Sequence, residues 1–393
     1  MLDKEIAELR RRFRYEKNNI GALCGCYVNE KKEIVTSFRQ SMPMMGQEEA
    51  ERYLALFRRT LTGKAGKNLL DVTFTNEQVT SGEEHKLLST LRESKLGDEE
   101  AVNALFGKII GALEQEGNYL ILLAQDVYDV PSYGKDGAKR EDGSDTMFSY
   151  ILCCVCPVKL TKPSLRYDAF RSLFQSREAD QIVASPEVGF LFPAFDDRCA
   201  NLYGALYAAK NLKDNRPELA NALFGTPLPM PADEQKETFR ELLADALEEE
   251  CSYDVVQAVQ DTLLARVLEQ KENPEEPVPP VTREELREVL TSCGVSEEKL
   301  QRFDAQYEEA FGEKGTLPPQ NLAENSKTEF RTEDVLVRVD ASRSDLVQVK
   351  LLDGKPSLII RAEGMLTVNG VPVAIRNETK QTEHTENKEN IPV

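Results

Sequence analysis

Four aspartates near the ends of two apolar segments are the residues of this chain best placed for acid–base or metal chemistry. Asp126 and Asp129 leave one predicted strand, and Asp196 and Asp197 follow a second apolar stretch. Carboxylates at strand ends transfer protons or bind a divalent cation when they converge in one cleft. The alternative for Asp196 and Asp197 is structural, because a predicted helix follows and needs an N-cap and an acidic first turn. We favour the structural interpretation.

Cysteines offer a second chemistry, which is metal binding or redox exchange. Cys153 and Cys156 have Cys-x-x-Cys spacing, but residues three apart on a strand point to opposite faces of its sheet. Cys24, Cys26, Cys154 and Cys156 are the alternative zinc ligands, provided that their two strands are adjacent. Most of the eight cysteines lie in apolar patterns, which predicts buried thiols in a reducing cytosol and neither metal nor cofactor.

Histidine and phosphate-loop chemistry find little support. The chain has two histidines, of which His85 is predicted on the surface of a helix and His384 in a disordered tail. Residues 63–68, Gly-Lys-Ala-Gly-Lys-Asn, follow a helix and lack the frame of a phosphate loop, so we expect a helix C-terminal turn. The sequence therefore predicts no active site that uses His, Cys or a phosphate loop, and it favours a protein that is not an enzyme.

Basic residues near the start of the chain are the strongest candidates for a binding surface. The formal net charge is −19, yet residues 1–70 contain 14 Lys and Arg against 9 Asp and Glu. A basic face on an acidic protein can bind phosphate, although a solvated charged helix has the same composition. The candidate nucleic-acid contacts are Arg10, Arg11, Arg12, Arg14, Arg58, Arg59, Lys64 and Lys67.

The elements that must position these residues alternate between helix and strand. Strands at 119–127 and 148–160 are apolar on both faces, which predicts central strands of the sheet. Between them, residues 131–145 predict a long exposed loop. Other strands are predicted at 20–28, 33–39, 68–75, 181–184 and 189–192, and helices at 3–14, 47–62, 82–94, 98–116 and 197–212.

The overall pattern predicts an α+β fold: a mixed or antiparallel sheet with flanking helices, then a helical middle region and a small C-terminal β-meander. Asp353-Gly354 and Asn369-Gly370 are typical turns of that meander. The predicted divisions are an α+β domain at 1–215, a helical region at 216–271, a Pro-rich linker at 272–281, a helical hairpin at 282–325, the β-meander at 326–376 and a disordered tail at 377–393.

Six phrases of the sequence carry a family resemblance. They lie at residues 6–13, 25–30, 117–123, 156–163, 189–198 and 343–347. In these phrases the chain resembles a bacterial family, typical of Firmicutes, described as domain of unknown function 4317, over roughly residues 1–375. That resemblance implies no activity and no site residues. A more remote similarity, in element order alone, links the chain to nucleoid-associated proteins of the NdpA type.

We therefore expect a non-catalytic binding protein of the bacterial cytosol, with nucleic acid or another protein as its partner. Met1 leads directly into an amphipathic helix, and the longest apolar runs are far short of the roughly 20 residues that span a bilayer, so no membrane association is expected. Two alternatives stay open. One is an enzyme with a carboxylate-based site, with or without a metal ion, and the other is a scaffold that forms homo-oligomers through its helical middle.

Overall fold

The computed structural model describes residues 1–131, 146–211, 216–272, 279–313, 315–323 and 327–373. The chain divides into two compact units, Met1–Glu237 and Thr238–Val393, which are treated separately below. Three predicted regions lie mostly or wholly outside the described residues. They are the loop at 131–145, the Pro-rich linker at 272–281 and the C-terminal tail that contains His384.

An antiparallel sheet organises the first unit. Its central strands are β4 and β5, as the both-face apolar pattern predicts, and the order is β2-β1-β4-β5-β9-β12-β3, with β8 also paired to β5. The α+β class is thereby confirmed. The strands of this unit are β1 (Ala22–Val28), β2 (Ile34–Ser41), β3 (Leu69–Thr73), β4 (Tyr119–Val130), β5 (Thr146–Leu160), β6 (Ser164–Asp168), β7 (Leu173–Arg177), β8 (Gln181–Val183), β9 (Val188–Phe192), β10 (Ala194–Asp196), β11 (Cys199–Asn201) and β12 (Gly204–Ala209).

Helices cover both faces of this sheet. Because side chains alternate along a strand, Cys153 and Val155 of β5 face one core and Cys154 and Cys156 face the other. The helices are α1 (Asp3–Arg10), α2 (Gln47–Thr60), α3 (Asn76–Ser81), α4 (Glu83–Glu93), α5 (Glu99–Ala112), α6 (Pro217–Phe224) and α7 (Ala232–Leu247), and the division between units falls within α7. Residues of α1 and α2 enter one core, and residues of α4, α5 and α6 enter the other.

The prediction of a helix over residues 197–212 is wrong. This stretch forms β11 and β12, and Asp197 and Arg198 make the preceding turn at φ of 48° and 59°, as a two-residue hairpin requires. Asp196 and Asp197 therefore do not have the N-cap role expected of them, because strand β11 follows instead of a helix. Strand β12 is buried along its length, and a short buried run of this kind cannot be distinguished from a helix by periodicity.

Helix α6 extends the first unit beyond the boundary expected at residue 215. Its Leu219, Leu223 and Phe224 are buried in the core that α4 and α5 share with the sheet. The ring of Phe224 contacts the rings of Phe190 and Tyr207 at centroid distances of 5.6 and 6.2 Å. These contacts tie the helix to strands β9 and β12.

The second unit joins the helical middle and the predicted helical hairpin into one core. Buried Phe239, Leu263, Leu290 and Phe303 meet there from four helices. Besides the end of α7, the helices are α8 (Tyr253–Glu272), α9 (Arg283–Ser292), α10 (Glu297–Phe311) and α11 (Pro319–Leu322). No helix in the described part of the chain is long and apolar enough to cross a membrane.

Three separate hairpins stand where the meander was expected. The strands are β13 (Lys327–Arg331), β14 (Leu336–Asp340), β15 (Val347–Leu352), β16 (Lys355–Ile360), β17 (Thr367–Val368) and β18 (Val371–Pro372). They pair two by two. The turn Asp353-Gly354 has φ of 50° and 74°, and Asn369-Gly370 has φ of 51° and 81°, so both predicted turns have the left-handed backbone that such hairpins need.

One carboxylate of the second unit has a strongly shifted pKa. The Glu248 carboxylate lies 2.6 Å from Lys299 Nζ and also pairs with Arg302. Hydrogen bonds from Lys299, and then from Arg302, lower the pKa of Glu248 to about 2. The group therefore stays ionised far into the acid range.

Candidate functional site

Asp126 is buried within β4, four residues before the strand ends, and protein donors surround its carboxylate. Oδ1 accepts hydrogen bonds from the backbone N–H groups of Asn19 (2.7 Å) and Val127 (2.9 Å), and from Arg12 Nη2 (3.3 Å). Oδ2 accepts from Arg12 Nε (3.0 Å) and the Tyr150 hydroxyl (2.8 Å). The Asp126 side chain is 1% exposed and that of Arg12 is 12% exposed. With its lone pairs so occupied, Asp126 anchors the segment after α1 to the sheet and has no position left for a substrate.

Aromatic and charged groups extend this buried network. The Arg12 guanidinium carbon lies 4.4 Å from the centroid of the Tyr128 ring. The Tyr128 hydroxyl donates to Glu8 Oε1 (2.5 Å), which also accepts from Arg198 Nη2 (3.0 Å). Burial and the neighbouring Glu8 raise the pKa of Tyr128, so its hydroxyl keeps its proton and remains a donor at neutral pH. The network is a structural joint between α1, β4 and the turn after β10.

The other three candidate aspartates lie outside this network. Asp129 and Asp197 are exposed. Asp196 accepts a hydrogen bond from Asn201 Nδ2 (2.7 Å), and its Oδ1 lies 2.9 Å from the Met1 amino group. In the part of the chain that the structure describes, no cluster of three or more His, Cys, Asp or Glu could hold a metal ion. The geometry thus gives the carboxylate-site hypothesis no shared cleft.

The four cysteines considered as zinc ligands lie on opposite faces of the sheet. Cys24 and Cys26 of β1 face the core beneath α4 and α5, whereas Cys154 and Cys156 of β5 face the core beneath α2. Strand β4 also separates β1 from β5. These thiols cannot surround one ion. Burial raises the pKa of Cys154 well above its usual range, so this thiol is protonated and packs as an apolar side chain.

His85 is buried, contrary to the surface position predicted for it. Its Nε2 lies 2.9 Å from the carbonyl oxygen of Leu202. Its ring packs edge-on against Phe74 and Phe192 at centroid distances of 5.1 and 5.3 Å. The helical pattern did not reveal this, because the aromatic neighbours come from β9 and from the end of β3. His85 is therefore a core residue of the first unit.

The predicted basic contacts divide into paired and unpaired side chains. Arg12 is committed to Asp126, so it is removed from the set that could bind phosphate. Lys67 Nζ lies 2.8 Å from Asp233 Oδ1, and Arg59 Nη1 donates to Ser185 Oγ (3.3 Å) beside a small cleft of about 220 Å³. Within the described residues, five predicted side chains have no hydrogen bond or ion pair: Arg10, Arg11, Arg14, Arg58 and Lys64.

Arg14 and Arg58 line one cleft of about 590 Å³, which we call the arginine cleft. Arg52 is a third guanidinium in its lining and was missed at the sequence level. It lies on the same helix as Arg58 and precedes it by six residues, a spacing that did not single it out. None of the three arginines has an ion-pair partner within 4.0 Å among the described residues. The lining also contains Phe13, Tyr15, Glu16, Glu48, Glu51, Leu54 and Ala55.

The sequence matches a model of a known protein family. The family model described as Domain of unknown function (DUF4317) matches residues 1–371. The chain belongs to this family. No curated protein matches the sequence.

The match to DUF4317 spans both compact units, from before α1 into β18. The family description assigns no activity, so the arginine cleft of this DUF4317 protein must be interpreted from its own chemistry. Its lining combines three glutamates with three arginines, whose guanidinium groups have no ion-pair partner among the described residues. Such groups present planar donor pairs that match the oxygens of a phosphate or carboxylate.

Proposed function

We propose that this DUF4317 protein is a non-catalytic binding protein of the cytosol that associates with nucleic acid through the arginine cleft. The observation that carries the proposal is the convergence of Arg14, Arg52 and Arg58 without protein acceptors. An unpaired arginine at a surface already has its donors directed at solvent, so a phosphate replaces water without breaking an ion pair.

The composition of the cleft sets the expected strength of binding. Glu16, Glu48 and Glu51 share its lining with the three arginines, so the lining has no net positive charge. Binding through this cleft therefore also needs exposed cations outside its lining, for which Arg11 and Lys64 are candidates. We expect affinity in the range of non-specific nucleic-acid binding, with dissociation constants of about 10⁻⁴–10⁻⁶ M at physiological salt.

The surroundings of the four candidate aspartates argue against the carboxylate-based enzyme. Asp126 has hydrogen-bond donors around both of its oxygens, and Asp129, Asp196 and Asp197 lie in other environments. A site built from several carboxylates needs them directed at one reacting centre or one metal ion. A binding role requires no such convergence.

The test is the salt dependence of nucleic-acid binding by the full chain, measured by fluorescence anisotropy with a labelled DNA duplex and a labelled single-stranded RNA. Arg14→Gln, Arg52→Gln and Arg58→Gln are combined in one variant. Each phosphate contact contributes about −0.9 to the slope of log K against log salt for duplex DNA, so the variant should lose roughly 2–3 from the slope.

The matched control removes three positive charges elsewhere on the first unit. Lys31→Gln, Lys86→Gln and Lys159→Gln change exposed side chains that have no hydrogen bond or ion pair within the described residues. This control should keep the wild-type slope. Equal slopes for the wild type and the arginine variant would refute the proposal, as would an equal loss in the control. Arg12 is unsuitable for this test, because changing it disturbs the buried network.

A further inference from the structure

A β-hairpin of the first unit, formed by β6 and β7 over residues 164–177, presents an uncovered apolar face; we call it the arm. The two strands pair with each other and form a ladder separate from the main sheet. In this register Tyr167 lies opposite Phe174, and Leu165 lies opposite Ser176. Opposite residues share a face of a ladder, so Leu165, Tyr167 and Phe174 lie together, 72%, 53% and 67% exposed.

The opposite face and the tip complete an amphipathic ribbon. Arg166, Gln175 and Arg177 lie on the polar face, and Phe170 at the tip is 99% exposed. A two-stranded hairpin is marginally stable in water without a packing partner. A contiguous apolar face of this kind marks an interaction site. The arm therefore requires a cover that is itself apolar.

The exposed area of the arm is large enough for a specific interface. With roughly 200 Å² for each full aromatic side chain, the exposed parts of Tyr167, Phe170 and Phe174 amount to about 400 Å². Two arms packed together through these side chains remove about 800 Å² of ring surface from water. Leu165, which lies on the same face as Tyr167 and Phe174, raises the total. The sum reaches the roughly 1,000 Å² that a specific interface needs.

We propose that the arm packs face to face against the arm of a second copy of this chain, about a twofold axis. A twofold contact requires a patch complementary to itself, and the Leu165–Tyr167–Phe174 face meets this condition because it contains no charged residue. Arg166 and Arg177 lie on the outer face, so joining two arms brings no like charges together. Nucleic acid fits this face poorly, since the arginines point away from it.

Two segments outside the described residues offer the arm no apolar cover in their sequence. Residues 132–145 and 374–393, which the structure does not describe, are mostly polar in sequence and contain no amphipathic alternation that would match the arm. The second copy supplies the matching surface by symmetry. This inference is independent of the arginine cleft.

The test is the mass of the full chain in solution, measured by sedimentation and by light scattering after size exclusion, from about 1 to about 100 µM so that micromolar dissociation constants are covered. The wild type should sediment at twice the chain mass of 44.2 kDa. The double variant Leu165→Ser/Phe174→Ser should raise the dissociation constant at least about 100-fold, because both copies lose apolar contacts. Both positions are exposed, so the variant should keep the wild-type circular dichroism.

The matched control makes the same kind of change on helix α8. Val256→Ser/Leu268→Ser alters side chains that are 40% and 53% exposed and should leave the dimer intact. A second readout replaces Phe174 with Cys in a Cys199→Ser/Cys251→Ser/Cys293→Ser background, which removes the cysteines that are not buried. In this background a short bismaleimide should link two chains. Lys86→Cys in the same background should not link them.

Three results would overturn the proposal. The first is a wild type that stays monomeric throughout the concentration range. The second is a dimer that persists in the arm variant and dissociates in the α8 variant, which places self-association on the helical unit. The third is self-association that disappears after nuclease treatment, which makes nucleic acid the bridging partner.

Discussion

Replacing Asp126 with Asn tests whether the buried carboxylate network holds the first unit together. The substitution keeps the size of the side chain and removes its charge, which leaves the Arg12 guanidinium beside a neutral group. The site is buried, since the Arg12 side chain is 12% exposed and that of Asp126 is 1% exposed. The new amide nitrogen also faces donors, since Arg12 Nε and the Tyr150 hydroxyl both point at the carboxylate. Two hydrogen bonds become repulsive contacts unless groups rotate.

The expected loss follows from this geometry. Removing one partner of a buried, hydrogen-bonded ion pair costs about 3–5 kcal/mol. For a unit of this size, 1 kcal/mol corresponds to about 2–4 °C in the thermal midpoint, so the transition of the first unit should fall by roughly 6–20 °C. Asp129→Asn is the matched control, because it makes the same change at an exposed position of the same strand and should stay within about 0.5 kcal/mol.

Far-ultraviolet circular dichroism is the suitable probe, because the chain contains no Trp. Urea and thermal unfolding are followed for the wild type, Asp126→Asn, Arg12→Met and the double variant. Since the two residues share one network, the double variant should be more stable than the sum of the single losses implies, by about 1–3 kcal/mol. If Asp126→Asn unfolds at the same urea concentration as Asp129→Asn, the network is not a structural joint and the reasoning fails.

Three further predictions concern other parts of the molecule. The pKa of Glu248 is about 2 in the folded chain against an ordinary 4.5, so its ion pairs stabilise the second unit above about pH 4.5 and are lost as the pH falls towards 2. Glu248→Gln should therefore flatten the acid dependence of the thermal midpoint. Glu309→Gln, at an exposed and unpaired position, should leave that dependence unchanged. Phe224→Ala should destabilise the first unit by about 3–5 kcal/mol in urea unfolding, because three core rings lose a neighbour, and a loss below about 1 kcal/mol would show that α6 is not part of that core. In a thiol titration of the native chain, Cys199 should react first, in a fast phase, and the buried cysteines of β1 and β5 should react only on unfolding. A Cys199→Ser variant that keeps the fast phase would contradict the assigned exposures.

Elements with a strong local pattern were predicted well from the sequence. The both-face apolar segments became the central strands β4 and β5, and the Asn-Gly and Asp-Gly turns of the last hairpins were identified because their backbone demands those residues. Helix α1 ends at Arg10, earlier than expected at residue 14, because the chain there turns so that Arg12 reaches the sheet. The end of a helix was set by tertiary contact rather than by propensity.

The candidate site was only partly predictable. The sequence marked Arg14 and Arg58 as basic, and their convergence with Arg52 depends on how α2 packs against the segment after α1. The burial of Arg12 depends on Asp126, which lies 114 positions further along the chain. Pairings over such separations leave no local signature, so a count of charges cannot distinguish an available arginine from one committed to the core. The same holds for His85 and its aromatic neighbours.

The position of β3 at the edge of the sheet has a consequence for biosynthesis. Among the described residues, strand β3 joins the sheet through β12 alone, and β12 is made about 130 residues later. On the ribosome, at roughly 5–20 residues per second, β3 and the helices that follow it must wait on the order of ten seconds before their neighbour emerges. During that interval the hairpin of β1 and β2 can already form, while the apolar faces of β3, α4 and α5 lack their final partners. Chaperone contacts with the nascent chain should therefore concentrate between the synthesis of β3 and that of β12.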